Sequence, residues 1–333
     1  MKIFSIALSP HDHNTYDGMF HNQRERYTRL KHNIPWHFNS YPTQETKHKM
    51  NHNDGSAGVN FYDEYFKPDD HELLAFTTTI GGMKQIPQAD INEEFLNFTP
   101  SYLWDYMRHG NQYYIDHHQS HAAYAYLTSG YKESDILAID GRGWKFNCIF
   151  IDRNGKITDL SDKMGIGTLW NYMSQKVGMG YLGAGKLMGL AAYGEYSLIV
   201  HSLIDYYSNN NFNFPRHTDK VLNGSDSLTN FQGTNITSKI ISNTLQIATE
   251  ELIERYVYPL KTCENLCIAG GVAYNGYVNE NFTKHYTKVH VPPAPGDEGQ
   301  SLGTYMHADY VLNNNVHIPD VYAGKEYEFI GDE

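Results

Sequence analysis

Cysteine is scarce in this chain: only Cys148, Cys263 and Cys267 occur among 333 residues. Their number is odd and their spacing is not that of a zinc site, which favours reduced thiols in a cytoplasmic protein over a disulfide framework. Long apolar runs are also missing, and nothing approaches the ~18 consecutive apolar residues of a membrane span. The opening MKIFSIAL is too short for the apolar core of a signal peptide and is followed by no cleavage site. No membrane partner is therefore expected. Positive charge is in deficit, with 26 Lys and Arg against 38 Asp and Glu and a formal net charge of −12. A general nucleic-acid binder needs a basic surface that releases counterions, so nucleic acid is an unfavoured partner. The chain has no Walker spacing, G-x-x-x-x-G-K followed by Ser or Thr, and no clear internal repeat.

What is present is enough for two lobes: 333 residues, of which 40% are hydrophobic. Lys2 to Leu8 alternates as a strand and runs into a polar loop. Residues 21–33 read as a short helix or a solvated strand, and 34–70 as loops with short helices. A short strand at Tyr113–Asp116 leads into an alanine-rich helix from His117, stopped by Gly130. Asp135–Ile139 is a buried strand that delivers Asp140 to the turn Gly141-Arg142-Gly143. Phe146–Asp152 and Ile157–Leu160 read as strands joined by the hairpin signal Asn154-Gly155. Strands with a glycine turn at an acidic residue match the first phosphate corner of the actin and sugar-kinase (ASKHA) architecture, a fold analogy. The segment 197–235 is polar and Asn-rich and reads as an insertion or surface segment. Residues 240–258 carry a helical stripe that fits core packing, ended by Pro259. Leu266–Ala269 is a buried strand entering Gly270-Gly271, with a helix beginning near Asn275. Val289–Val291 enters the acidic loop Pro292–Gly299, followed by a helix from Ser301.

His117 and His121 stand at i, i+4, so they share one helix face. Imidazole pairs at this spacing serve as metal ligands; they also occur as surface decoration at a helix start. Asp140 and Asp297 both follow strand ends, where open α/β sheets place ligands. Mixed imidazole and carboxylate donors suit iron, manganese or zinc. The amides of Gly270-Gly271 allow close approach by a phosphate or an adenosine, and also fit a plain tight turn. Gly183-x-Gly185-Lys186 has the look of a phosphate cradle or of a surface loop.

Five stretches in order, DHHQSHAAYAYLTSGY, ILAIDGRG, YLGAGKLMGLAAYG, NLCIAGGVAYNGYVN and VHVPPAPGDEGQSLG, resemble the NodU/CmcH carbamoyltransferase family. The likeness covers about residues 113–194 and 240–325 and is fainter at RERYTRLKH (Arg24 to His32) and His11-Asp12. It implies a two-lobed ASKHA α/β fold, similar to the tRNA threonylcarbamoyl transferase domain and to part of HypF. The expected lobes are 1–130 and 131–325, with 326–333 resembling a connector to a YrdC-like domain that is absent. By resemblance, His117, His121, Asp140 and Asp297 match metal ligands, usually for Fe(2+). Gly141, Gly143, Gly183, Gly185, Lys186, Gly270, Gly271 and Asn275 match nucleotide contacts. His11 and Lys31 match positions near the carbamoyl group. Two features depart from the family: Ala184 replaces the usual Glu of G-E-G-K, and the N-terminal hairpin is shortened.

The resemblance implies O-carbamoyl transfer. Carbamoyl adenylate, made from ATP and carbamoyl phosphate by a separate YrdC-like polypeptide, would donate to a hydroxyl of a sugar or natural-product scaffold. A nucleotide-binding scaffold, a tRNA threonylcarbamoyl-type transferase and a sugar-kinase or chaperone-type ATPase stay open as alternatives. Acceptor choice is expected in 34–112 and 197–235.

Overall fold

The structure is a computed structural model that describes residues 1–8, 13–23, 71–78, 112–141, 146–180, 183–209, 237–320 and 324. Their contacts divide them into two compact units. One holds the described residues up to Gly130 together with those from Pro292 onward; the other holds those between.

The first unit starts with β1 (Ile3–Leu8), β2 (His13–Tyr16) and β3 (His21–Gln23), paired antiparallel in succession. β2 begins inside the stretch that reads as a polar loop. β4 (Leu73–Thr78) pairs parallel with β1, and β5 (Gln112–Tyr114) parallel with β4. The sheet order is therefore β3-β2-β1-β4-β5. β4 lies within the stretch expected to vary with the acceptor, yet it is a buried central strand. Its run Leu74, Ala75, Phe76, Thr77 is covered on both faces. A strand enclosed on both sides loses the period-2 signal by which strands are read. Helix α1 (His117–Ser129) follows. The Asp116 carboxylate caps it by accepting from His118 N at 2.9 Å and Gln119 N at 3.4 Å. Such a cap is worth about 0.5–2 kcal/mol. Gly130 ends the helix at φ 68°.

The second unit repeats the strand order. β6 (Asp135–Ile139), β7 (Cys148–Ile151) and β8 (Ile157–Asp159) pair antiparallel in succession. Among the described residues the helices α2 (Ile166–Lys176), α3 (Ala184–Ala191), α4 (Leu198–Asn209) and α5 (Ser238–Tyr256) come next. β9 (Asn265–Ala269) joins β6 in parallel, and β10 (Lys288–His290) joins β9 across the short helix α6 (Gly276–Phe282). The order is β10-β9-β6-β7-β8, the same arrangement and strand senses as in the first sheet. Leu137, Phe150, Leu169, Leu245, Leu266 and Phe282 belong to its core. The stripe over 240–258 thus serves packing. α4 corrects the reading of 197–235 as an insertion or surface segment: Val200 and Ile204 are in the core. Residues 210–236 lie outside the described residues.

At Pro292 the chain re-enters the first unit, whereas its order in the sequence puts 292–325 with the second lobe. Helix α7 (Gln300–Asn313) packs on α1, β1, β2 and β4. Tyr16, Tyr124, Leu302 and Met306 form one apolar cluster there, and Ile3, Leu73, Ala75 and Ala308 another. Two tandem sheets of one strand order, with helices inserted between strands, define the α/β fold of actin and sugar kinases. Among the described residues no helix is long and apolar enough to cross a membrane.

Candidate metal centre and glycine turns

In the first unit, α1 presents His117 and His121 on one face, one turn apart. Both rings are 1% exposed, and their centroids are 4.7 Å apart in an edge-on arrangement. Asp297, 5% exposed, opens a 3-10 turn, Asp297–Gly299, that leads into α7. Its Oδ1 lies 3.3 Å from His117 Nε2 and 3.4 Å from His121 Nε2. Two imidazoles and a carboxylate thus converge from 180 residues apart in sequence, with ligand atoms within 4.8 Å of one another. A surface decoration would be wet; these rings are buried, so the reading of a decorated helix start fails.

The surroundings hold these groups in place. Gln300 Nε2 donates to His117 O at 3.1 Å. Ser120 Oγ donates to Gln300 O at 2.9 Å and lies 3.0 Å from Thr304 Oγ1. Burial, reinforced by Glu298, pushes the Tyr124 hydroxyl up to about 12, so it stays protonated beside the Pro292–Gly299 loop. α1 and α7 touch closely because position 303 is glycine: a Cβ there would overlap the Ser120 carbonyl oxygen. Gly303→Ala is expected to force the helices apart at a cost of about 1–3 kcal/mol. Urea unfolding measures it, and an unchanged midpoint would mean the helices already have room.

In the second unit, Asp140 and Gly141 form the turn after β6. Gly271 N donates to Asp140 Oδ1 at 2.9 Å. Gly270 adopts φ 91°, and a Cβ on it would overlap the Ile139 carbonyl oxygen. Gly167 backs the same turn, since its Cβ would lie 2.5 Å from Asp140 C and O and from Gly141 N. Thr168 Oγ1 donates to Gly141 O. The structure therefore gathers Asp140, Gly141, Gly270 and Gly271 around one corner. Gly183 caps α3, with Gly185 and Lys186 exposed on its first turn. A Cβ on Gly183 would lie 2.5 Å from Met179 O, so glycine there serves a close backbone approach. Asn275 is 5% exposed and its carboxamide is occupied: Oδ1 accepts from Val278 N at 3.2 Å and Nδ2 donates to Gln246 Oε1 at 2.8 Å. It caps α6. His11, Lys31 and Gly143 lie outside the described residues.

Sequence reading missed Gln300, Ser120, Gly167 and Asn14. Gln300 and Ser120 sit inside the quoted motifs, so the motif text held a signal for them; Gly167 lies between motifs. Asn14 had none.

The fold and the buried two-histidine, one-carboxylate cluster define a metal-binding candidate of the actin and sugar-kinase class. The family described as "Carbamoyltransferase N-terminus" matches residues 22–306, and the chain belongs to it. It is 29% identical over 242 residues to an uncharacterized protein of Synechocystis sp., covering 63% of this chain and 39% of that one. It is 26% identical over 231 residues to the nodulation protein NolO of Bradyrhizobium diazoefficiens, covering 64% of this chain and 42% of NolO. The matched part is thus less than half the length of these relatives. Among solved structures it is similar to the activator of the 2-hydroxyisocaproyl-CoA dehydratase from Clostridium difficile. That match has a TM-score of 0.49 and 12% identity, and covers 96% of this chain and 100% of that one.

Proposed function

We propose that the chain transfers a carbamoyl group from carbamoyl adenylate to a hydroxyl of a sugar or natural-product acceptor. Its family and the buried cluster of His117, His121 and Asp297 support this reading; the cluster is the observation that carries it. Two imidazoles and a carboxylate fit Fe(2+) or another divalent transition metal better than a hard, all-oxygen cation. Asp140 is proposed as a fourth ligand. When bound, such a metal acts as a Lewis acid that polarises a carbonyl oxygen.

The chain's own residues have the following proposed roles. Burial of His117 and His121 keeps water from competing for their Nε2 atoms. The Gly271 N–H holds the Asp140 carboxylate in one orientation. The glycine turns at Gly141, Gly143, Gly270 and Gly271 receive the adenylate phosphate, with fixed N–H donors facing its charge. Gly183, Gly185 and Lys186 offer an exposed amide and ammonium edge to the same nucleotide, and Asn275 shapes the neighbouring turn by capping α6. His11 takes the acceptor's hydroxyl proton and Lys31 faces the carbamoyl oxygen; a positioned base of this kind contributes about 10²–10⁴ in rate.

The test supplies carbamoyl adenylate by adding ATP, carbamoyl phosphate and a YrdC-like protein to the iron-loaded chain with a panel of sugar hydroxyl acceptors. Carbamoylated acceptor and AMP, followed by mass spectrometry, are expected only when all components are present. AMP without carbamoylated acceptor, or product formed equally without this chain, would overturn the assignment.

A further inference from the structure

Asn14 sits on β2 facing Ala7 of β1 and Gln23 of β3 in register, and is 0% exposed. Both ends of its carboxamide reach the segment that carries Asp297. Nδ2 donates to Asp297 O at 2.9 Å, and Oδ1 accepts from Ser301 N at 2.9 Å. These two peptide groups are related as i and i+4. In an uninterrupted helix they bond directly to one another. Here the backbone makes a 3-10 turn over Asp297–Gly299 before α7 begins at Gln300. The Asn14 carboxamide therefore joins both partners of one helical bond from outside the helix.

We infer that Asn14 is a positioning residue for the metal centre: its carboxamide sets the Asp297 peptide so that the Asp297 carboxylate meets His117 and His121. The inference rests on the metal-binding reading above. The chemistry of the side chain is selective. A carboxamide offers a donor and an acceptor on one planar group, and Asn has the length that reaches from β2. Aspartate would keep the acceptor for Ser301 N and lose the donor to Asp297 O. An ionised carboxylate would then face a carbonyl oxygen. The neighbouring Ser5 provides a contrast. Its Oγ donates to Ser301 O at 2.8 Å, so it ties β1 to the same helix without touching Asp297.

The experiment titrates the full apo chain with Co(2+) alone and reads both affinity, against a chelating dye, and the visible absorption of bound Co(2+). Wild type, Asn14→Asp, Asn14→Ala, Ser5→Ala and His121→Ala are compared, with melting temperatures recorded for each. Asn14→Asp is expected to weaken Co(2+) binding by about 10–100-fold, the range for partners that orient ligands, and to change the absorption envelope. Ser5→Ala is expected to lower the melting temperature and leave both metal readouts unchanged. Asn14→Ala is held to the same criterion as Asn14→Asp. Wild-type affinity and spectrum in either Asn14 variant, with binding lost in His121→Ala, would overturn the role of Asn14 and leave the metal centre standing. Equal metal losses in Ser5→Ala and the Asn14 variants would make the effect one of general packing and also overturn it. Wild-type affinity in His121→Ala would remove the metal reading itself.

Discussion

Replacing His121 by alanine is expected to bring the metal content of the anaerobically iron-loaded protein to background, from about one ion per chain for a single closed ligand set. The imidazole is buried, and its Nε2 lies 3.4 Å from the Asp297 carboxylate. Without it, the α1–α7 cluster retains His117 and Asp297. Loss of a ligand should exceed the ~10–100-fold penalty of losing a group that merely orients one. Asp297→Asn is the companion variant, because it nearly preserves shape while removing a charged donor. The bond to Asn14 uses the Asp297 carbonyl, so it survives the change. Elemental analysis of both variants beside wild type is the measurement. Carbamoyl transfer should fall in parallel. Iron retained at the wild-type level in both variants would show that the cluster is an ordinary buried polar contact.

The second large effect is expected in the other unit. Gly270 combines φ 91° with a backbone carbonyl in the space a side chain needs. With ψ 164°, Gly270 lies in a region that is essentially glycine-only; an L-residue there costs roughly 1–3 kcal/mol, and forced overlap adds roughly 1–3 kcal/mol. Gly270→Ala should therefore lose about 2–6 kcal/mol, a large part of a typical 5–15 kcal/mol stability. Gly155 is the control: it sits at φ 82° in the β7–β8 hairpin, and a Cβ there would meet nothing within 4 Å. Gly155→Ala should show only the backbone cost of about 1–2 kcal/mol. Urea unfolding of both variants separates the two contributions. Equal losses would mean that Ile139 gives way freely, and the turn would then not be tight enough to hold Asp140 in place.

Much of the fold could be read locally because its signals are local. The alternation of residues 2–8, the Asn154-Gly155 turn and the Gly130 stop each depend on a few neighbouring dihedral angles. His117 and His121 could be paired on one face because helical period alone decides that. β4 escaped because Leu74, Ala75 and Phe76 are buried on both faces, which erases alternation. α4 escaped because its largely apolar residues, among them Val200 and Ile204 of the core, were read together with the polar, Asn-rich stretch that follows them in the sequence. The duplicated sheet order left no trace as a sequence repeat, since strand pairing constrains which faces are apolar and leaves residue identities open.

By itself, the sequence showed which residues have the chemistry of candidate metal ligands and where the chain turns from strand to glycine corner to helix. The tertiary structure decided what those residues meet. It returned the chain to the first unit at Pro292 and placed Asp297 against two histidines 180 and 176 residues earlier. It set Asn14 across the start of α7, 283 residues away. Such meetings depend on sheet order and helix packing, in which many distant residues act together. No short stretch of sequence encodes them.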